Sequence, residues 1–210
     1  MHHNTWGEGL PRPGGSKGWF YYMVSENPSI AFGRKIKRQN ALTAAIFGGL
    51  LAAGAGAISP LRFAACAWGL AAGLVYANLF EYALHRFILH AREGLLAQTH
   101  GVHHSTWRGA DEPLYVNFAR SPWVVVLLFV GNGLPVLAAE WLLRLGFASS
   151  AIAAFVLYFI AVEEVHWRIH MGGLPAWLEF ARRHHLRHHA RGEGGFNVYL
   201  PLFDRLLGTA

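Results

Sequence analysis

One cysteine, Cys66, in 210 residues leaves no room for an internal disulfide framework or for a thiolate-rich metal site of the zinc-finger kind. Any metal this chain holds must be bound by His, Asp or Glu. Charge is scarce as well: Asp, Glu, Lys and Arg make up 14% of the residues, against roughly 25% in an ordinary soluble domain. Apolar residues make up 53%, which points to a membrane. An apolar leader is also missing. Met1 to Gln39 is rich in Gly, Pro, aromatic and basic residues, so the expectation is a chain without a secretory signal whose N-terminus stays cytoplasmic.

What the chain does have is four apolar segments, Ala41 to Ile58, Phe63 to Leu84, Pro122 to Leu143 and Ala148 to His166. Each is close to the roughly 20 residues a helix needs to cross hydrocarbon. The turns Ser59-Pro60-Leu61-Arg62 and Arg144-Leu145-Gly146-Phe147 are so short that the segments read as two antiparallel helical hairpins. The run "GGLLAAGAGA" in the first segment permits close helix approach in lipid, a stronger reading than a phosphate loop. Residues 1–40 are read as a cytoplasmic N-terminal segment and 41–210 as one membrane-embedded domain.

The net charge of +6 follows the same topology. Arg34, Lys35, Lys37 and Arg38 precede the first segment, Arg86, Arg92, Arg108 and Arg120 lie between the hairpins, and Arg182, Arg183, Arg187 and Arg191 follow the last. Only Arg62 and Arg144 mark the other side, so both termini and the central loop are expected to be cytoplasmic. Basic residues spread over membrane-proximal loops, rather than gathered on one soluble module, argue against nucleic acid as a partner.

Histidine is the residue in excess, with 13 copies. His2 and His3 stand apart at the N-terminus; the others fall in segments placed on the cytoplasmic face, and their spacing repeats. "THGVHHS" carries His100, His103 and His104, and "FARRHHLRHHARGEGG" carries His185, His188 and His189, each an i, i+3, i+4 set that shares one helix face. His166 and His170, spaced i, i+4, form a third wall at the end of the fourth segment. His85 and His90 in "LHRFILH" are five apart and point about 140° from each other on a regular helix, so they need a bend or embrace the site from two sides. A single histidine is most often a solvated or satisfied polar residue; clusters at these spacings call for metal. Ten imidazoles exceed the four to six ligands one ion takes, so two metals is the economical count, and imidazole suits Zn, Fe, Cu and Ni alike. Glu81, Asp111, Glu163 and Glu164 are the acids placed to steady imidazole N–H groups, with ion pairing or solvation at helix ends an even alternative.

In this order, straddling two hairpins, His85-x4-His90, His100-x2-His103-His104, His166-x3-His170 and His185-x2-His188-His189 resemble the fatty acid hydroxylase and sterol desaturase superfamily of integral membrane di-iron enzymes. The ending "FNVYLPLFDRLLGT" is similar to that superfamily's tail. The resemblance spans about Leu42 to Thr209. It implies an all-α integral membrane fold of four transmembrane helices with a cytoplasmic helical cap carrying a dimetal site. The ten histidines would be its ligands, with two Fe ions as cofactor (Zn as a possible substitute on isolation), O2 as co-substrate and a membrane lipid as substrate. In "HHLRHH" either His184 or His185 can open the motif, and His185 is chosen because it reproduces the spacing of the His100 set. Some relatives in that superfamily carry a fused cytochrome b5 domain. The first forty residues are too few for one, so electrons are expected from a separate donor of cytochrome b5 or ferredoxin type.

The leading expectation is an O2-dependent monooxygenase that hydroxylates a fatty acyl chain, with Phe80, Leu84, Phe87, Leu114, Phe118 and Trp123 as candidate lining of its slot and "WRGADEPLY" near the mouth. A sterol desaturase or oxidase and a carotenoid ring hydroxylase are alternatives within the superfamily. A membrane metal carrier is the rival from another class, but the apolar segments are interrupted mainly by Asn78 and Asn132 and show no polar path. A silent zinc site is a further alternative. The Ala- and Gly-rich composition suggests a bacterial inner membrane.

Overall fold

In a computed structural model the described residues are 27–59 and 63–210. The expectations for residues 1–26 and for the turn residues 60–62 lie outside them. Helix α1 spans Pro28–Ile58, capped by the Asn27 side chain, which accepts from Ser29 N at 2.9 Å, with Pro28 in the first turn. It starts well before the apolar segment at Ala41. Hydropathy sees only lipid-facing residues, whereas the first turns of α1 bury Gly33, Ile36 and Asn40 against the rest of the protein.

Helix α2, Phe63–Ala83, continues into a π-helical turn at Leu84–Leu89; α3 follows at Leu95–Thr106 and the single turn α4 at Glu112–Tyr115. Helix α5 spans Pro122–Leu143 and ends where Arg144 turns left-handed at φ 52°. Helix α6 spans Ala148–Met171, a 3-10 turn covers Ala176–Leu178, α7 spans Glu179–Arg191 and α8 Leu202–Leu206. Among the described residues every regular element is helical. Four are long and apolar enough to cross a membrane: α1, α2 with its π turn, α5 and α6.

Connectivity is that of two hairpins, but partners within a hairpin do not form the main interfaces. Helix α6 packs along both α1 and α2, and α5 packs against α1 and touches α6 through Phe129, which lies on Phe155 and Phe159. The hairpins thus interlock, with a helix of the second wedged between the two helices of the first. Residues such as Leu50, Trp68, Leu127, Trp141 and Leu157 face outward, as expected where lipid replaces water.

Small residues make the wedge possible. A Cβ on Gly69 would strike the Phe147 carbonyl and one on Gly73 the Ala151 backbone, so the α2 face Gly69-xxx-Gly73 lets α2 lie against the start of α6. Within "GGLLAAGAGA" only Gly48 has that role, against Val156 and Phe129, while Gly49 and Gly54 have open space. Ala44, Ala77, Phe129, Phe155 and Val156 complete the buried seam. Helices α3, α4 and α7 and the C-terminal tail gather at one end as a cap over the π turn and the end of α6. A Gly73→Leu substitution is expected to destabilise the protein by about 1–3 kcal/mol through overpacking, whereas Gly49→Leu should be near neutral. Thermal unfolding in detergent compares the two.

Candidate metal centre

The π turn answers the question posed by His85 and His90. On an α-helix they would diverge, but the Nα–H of His90 donates to the His85 carbonyl at 3.2 Å, an i to i+5 closure that sets one residue above the other. Their rings lie 5.1 Å apart, centre to centre. Helix α3 presents His100, His103 and His104, the last turns of α6 present His166 and His170, and the inward face of α7 presents His185, His188 and His189.

The ten side chains sort into two groups, His85, His90, His100, His104 and His188 in one, and His103, His166, His170, His185 and His189 in the other, with the facing ring nitrogens of each within 4.8 Å of one another. In the first group the Nε2 of His90, His188, His104 and His100 close a ring with contacts of 3.1–3.2 Å, and His85 Nε2 lies 3.0 Å from His100 Nε2. In the second, His185 Nε2 sits 3.0, 3.0 and 3.1 Å from the Nε2 of His166, His170 and His189. The groups adjoin through the stacked rings of His104 and His189 at 4.3 Å.

Hydrogen bonding does not account for these contacts. A neutral imidazole has either one lone pair or one N–H at Nε2, yet His100 and His185 each meet three other Nε2 atoms. Moreover, His85 Nδ1 donates to the Phe196 carbonyl at 2.5 Å and His188 Nδ1 to the Gly194 carbonyl at 2.6 Å. A carbonyl only accepts, so these rings carry their proton on Nδ1 and turn a bare lone pair inward. Both nitrogens of buried His103 have no hydrogen-bond partner. Nitrogens about 2.1 Å from a shared ion, at right angles to one another, stand about 3.0 Å apart. The donor set therefore fits a metal ion in each group.

Burial first, and neighbouring imidazoles after it, hold His104 down to about 3 and His189 to about 2, and push His100, His103 and His185 below the ordinary histidine range. His188 is held down to about 4 chiefly by burial. These rings are neutral at pH 7, the form that ligates metal.

The acids singled out from sequence do other work. Glu81 accepts from Tyr158 Oη at 2.7 Å, Asn197 Nδ2 at 2.9 Å and Val198 N at 2.8 Å, and so fastens the tail to α2. Glu163 accepts from Phe118 N at 2.7 Å and Asn40 Nδ2 at 3.1 Å, and Glu164 pairs with Lys37 and Arg168. Asp111 stands at the head of α4 without contact to an imidazole. Its neighbour is the one that counts: Glu112 Oε1 accepts from His170 Nδ1 at 2.6 Å. His184 stands outside both groups, its Nε2 bonded to Asp204 Oδ2 at 3.0 Å. Asp204 is fully buried and also accepts from Phe196 N, Asn197 N and Thr209 Oγ1. Burial alone would raise its carboxyl, but these hydrogen bonds outweigh it and hold the group below the usual range. Asp204 thereby shapes the loop whose carbonyls orient His85 and His188.

A cavity of about 300 Å³ reaches both groups, lined by His85 and His100 of the first and His103, His166 and His185 of the second. Its apolar walls include Leu84, Val116, Phe118, Val124, Val162 and Val198. Of the lining expected from sequence, Leu84 and Phe118 are there and Phe80 lies in the next cavity down. Phe87 and Trp123 instead face outward, because the π turn and the first turn of α5 rotate them away, and Leu114 lines none of these cavities.

The two groups rest on different supports, which makes them separable. Asp204→Asn is expected to weaken metal binding at the His85/His188 group, and Glu112→Gln at the His170 group, each by roughly 10–100-fold. Cobalt titration followed by absorbance should then show two sites in the parent protein and one weakened site in each variant.

Residues 70–209 match the fatty acid hydroxylase family model. The chain is 27% identical over 147 residues to the ceramide very long chain fatty acid hydroxylase of Saccharomyces cerevisiae, covering 65% of this chain and 36% of that protein. It is 26% identical over 148 residues to the dihydroceramide fatty acyl 2-hydroxylase of Arabidopsis thaliana, covering 67% and 59% respectively. It thus spans less than two thirds of either relative. No solved structure matches. With the match running from the middle of α2 through the histidine groups to the tail, the chain belongs to the fatty acid hydroxylase family.

Proposed function

We propose that this protein is an O2-dependent lipid hydroxylase acting on a fatty acyl chain, with one iron ion in each histidine group. The observation that carries the reading is a cavity lined by histidines of both groups and walled elsewhere by apolar side chains. Iron held there would activate O2 and supply the oxidant that removes hydrogen from a C–H bond. Five neutral nitrogens per group leave room for a further ligand on an ion that takes six.

The chain's own residues prepare the site. Phe196 and Gly194 carbonyls and the Glu112 carboxylate fix the Nδ1 protons of His85, His188 and His170, so that Nε2 faces inward in each ring. Leu84, Phe118, Val124 and Val162 exclude water and align a hydrocarbon segment against the centre. Glu163 and Glu81 hold the cavity wall by tying down the segment before α5 and the tail.

The centre lies at the end of the bundle that carries Arg86, Arg92, Arg108 and Arg120, whereas Arg144 sits at the opposite end, which supports a cytoplasmic orientation. Electrons come in this reading from a separate cytochrome b5 or ferredoxin type of donor. Arg183, Arg187 and Arg191 are exposed along the outer face of α7, directly behind the histidines, and offer such an acidic partner the shortest approach. The relatives' names point to ceramide acyl chains, and a sphingolipid or free fatty acid pool is the substrate class to try first.

The test is expression in a host of simple lipid composition under 18-O2, with His188→Ala as control and lipids analysed by mass spectrometry. A lipid that gains one labelled oxygen with the parent protein and not with the variant is the expected result. Iron-loaded protein that is supplied with reductant and lipid yet neither consumes O2 nor labels any lipid would sink the proposal in favour of a silent metal site.

A further inference from the structure

Helices α2 and α5 both flank α6 and pack against it or α1 rather than against each other, which leaves a groove with α6 as its floor. Three cavities lie along that groove in strict register. From the metal centre they run past Leu84, Glu81 and Val162 into a compartment of about 70 Å³ lined by Ala77, Phe80, Leu128 and Phe159. Beyond it lies a compartment of about 130 Å³ lined by Ala72, Gly73, Gly133 and Ala151. Phe155 lines both, and so stands between them.

At that boundary the groove is crossed. Tyr76 Oη on α2 donates to Asn132 Oδ1 on α5 at 2.5 Å, and Asn132 Nδ2 donates to the Leu128 carbonyl of its own helix at 2.7 Å. Both ends of the amide are engaged within the protein, so the pair acts as a clasp and not as a recognition site for a polar ligand. Beneath it the space is filled: the Phe155 ring lies 5.8 Å from Tyr76, 5.5 Å from Phe80 and 5.4 Å from Phe129. These are the two asparagine-interrupted helices of the sequence, and Asn132 finds its purpose here.

We infer that the Tyr76–Asn132 clasp, backed by Phe155, is the stop that limits how far an acyl chain runs down the groove from the metal centre. The inference rests on the acyl hydroxylase reading for its occupant, and on continuity with the histidine-lined cavity for its location. Helical rise puts the stop about 16 Å along α6 from His166, with about 12 Å more of groove beyond it, down to Phe147. A chain that ends at the stop fills the first stretch; a longer one must displace the clasp or fold back.

The experiment measures binding and turnover of a fatty acid series of increasing chain length, using iron-loaded protein in detergent. Native mass spectrometry reads binding, and 18-O2 incorporation with a chemical reductant reads turnover. Phe155→Ala and Tyr76→Ala, each checked for metal content and monodispersity, are expected to move the upper length limit by several carbons. The long-to-short ratio should rise roughly 10-fold or more, the scale on which apolar pockets discriminate single methylenes. Ala72→Leu, which refills the far compartment, should cancel the gain in the Phe155→Ala background. Length profiles unmoved in both single variants overturn the stop, even if the parent protein oxygenates lipid. A binding limit that shifts as expected in protein that oxygenates nothing upholds the stop and overturns the hydroxylase reading.

Discussion

Ten imidazoles aim their nitrogens at two small volumes, and lone pairs held about 3 Å apart repel unless positive charge lies between them. Much of the fold makes sense as the means of bearing that cost. The rings are buried or half-buried, and the outer nitrogens of His85, His188 and His170 are tied to two carbonyls and a carboxylate, which holds those three rings against the rotation that would relieve the crowding. Such an arrangement is strained without metal and cohesive with it, so the free energy of binding becomes part of the free energy of folding for the cap. The membrane bundle, by contrast, is held by close helix packing that needs no ion.

Two kinds of carboxylate serve the centre, and they differ in what they hold. Glu112 reaches a ligand ring directly, while Asp204, Glu81 and Glu163 act on backbone, pinning the tail and the segment ahead of α5. The tail is therefore structural in an unusual sense. It lies at the far end of the chain from the first histidines, yet the Phe196 carbonyl sets the orientation of His85.

Local features were legible from sequence and long-range ones were not. Apolar length revealed the four spanning helices, and i, i+3, i+4 spacing revealed which faces of α3, α6 and α7 carry histidine, because both signals repeat within one element. Spacing also separated His185 from His184, since only the former falls in register with its neighbours. The partners of those rings could not be read: a backbone carbonyl 111 residues from His85 leaves no mark in composition, and nothing local distinguishes Glu112, which reaches His170, from Asp111 one position away. The π turn was legible only as a problem, two histidines at a spacing no α-helix can use. Interlocking of the hairpins escaped for the same reason, since short turns show which helices are connected and say nothing of which ones touch.

That interlocking bears on how the protein is made. The helix at the centre of the bundle, α6, is the last of the four to leave the ribosome, and the first hairpin has no central partner until it arrives. Half of the chain can therefore sit in the bilayer only as an unfinished frame. The histidines on the π turn and α3 wait for those on α6 and α7, so a metal ion finds no complete cage on a nascent chain. Order of synthesis thus leaves the metal cage to be completed only when the frame around it has closed.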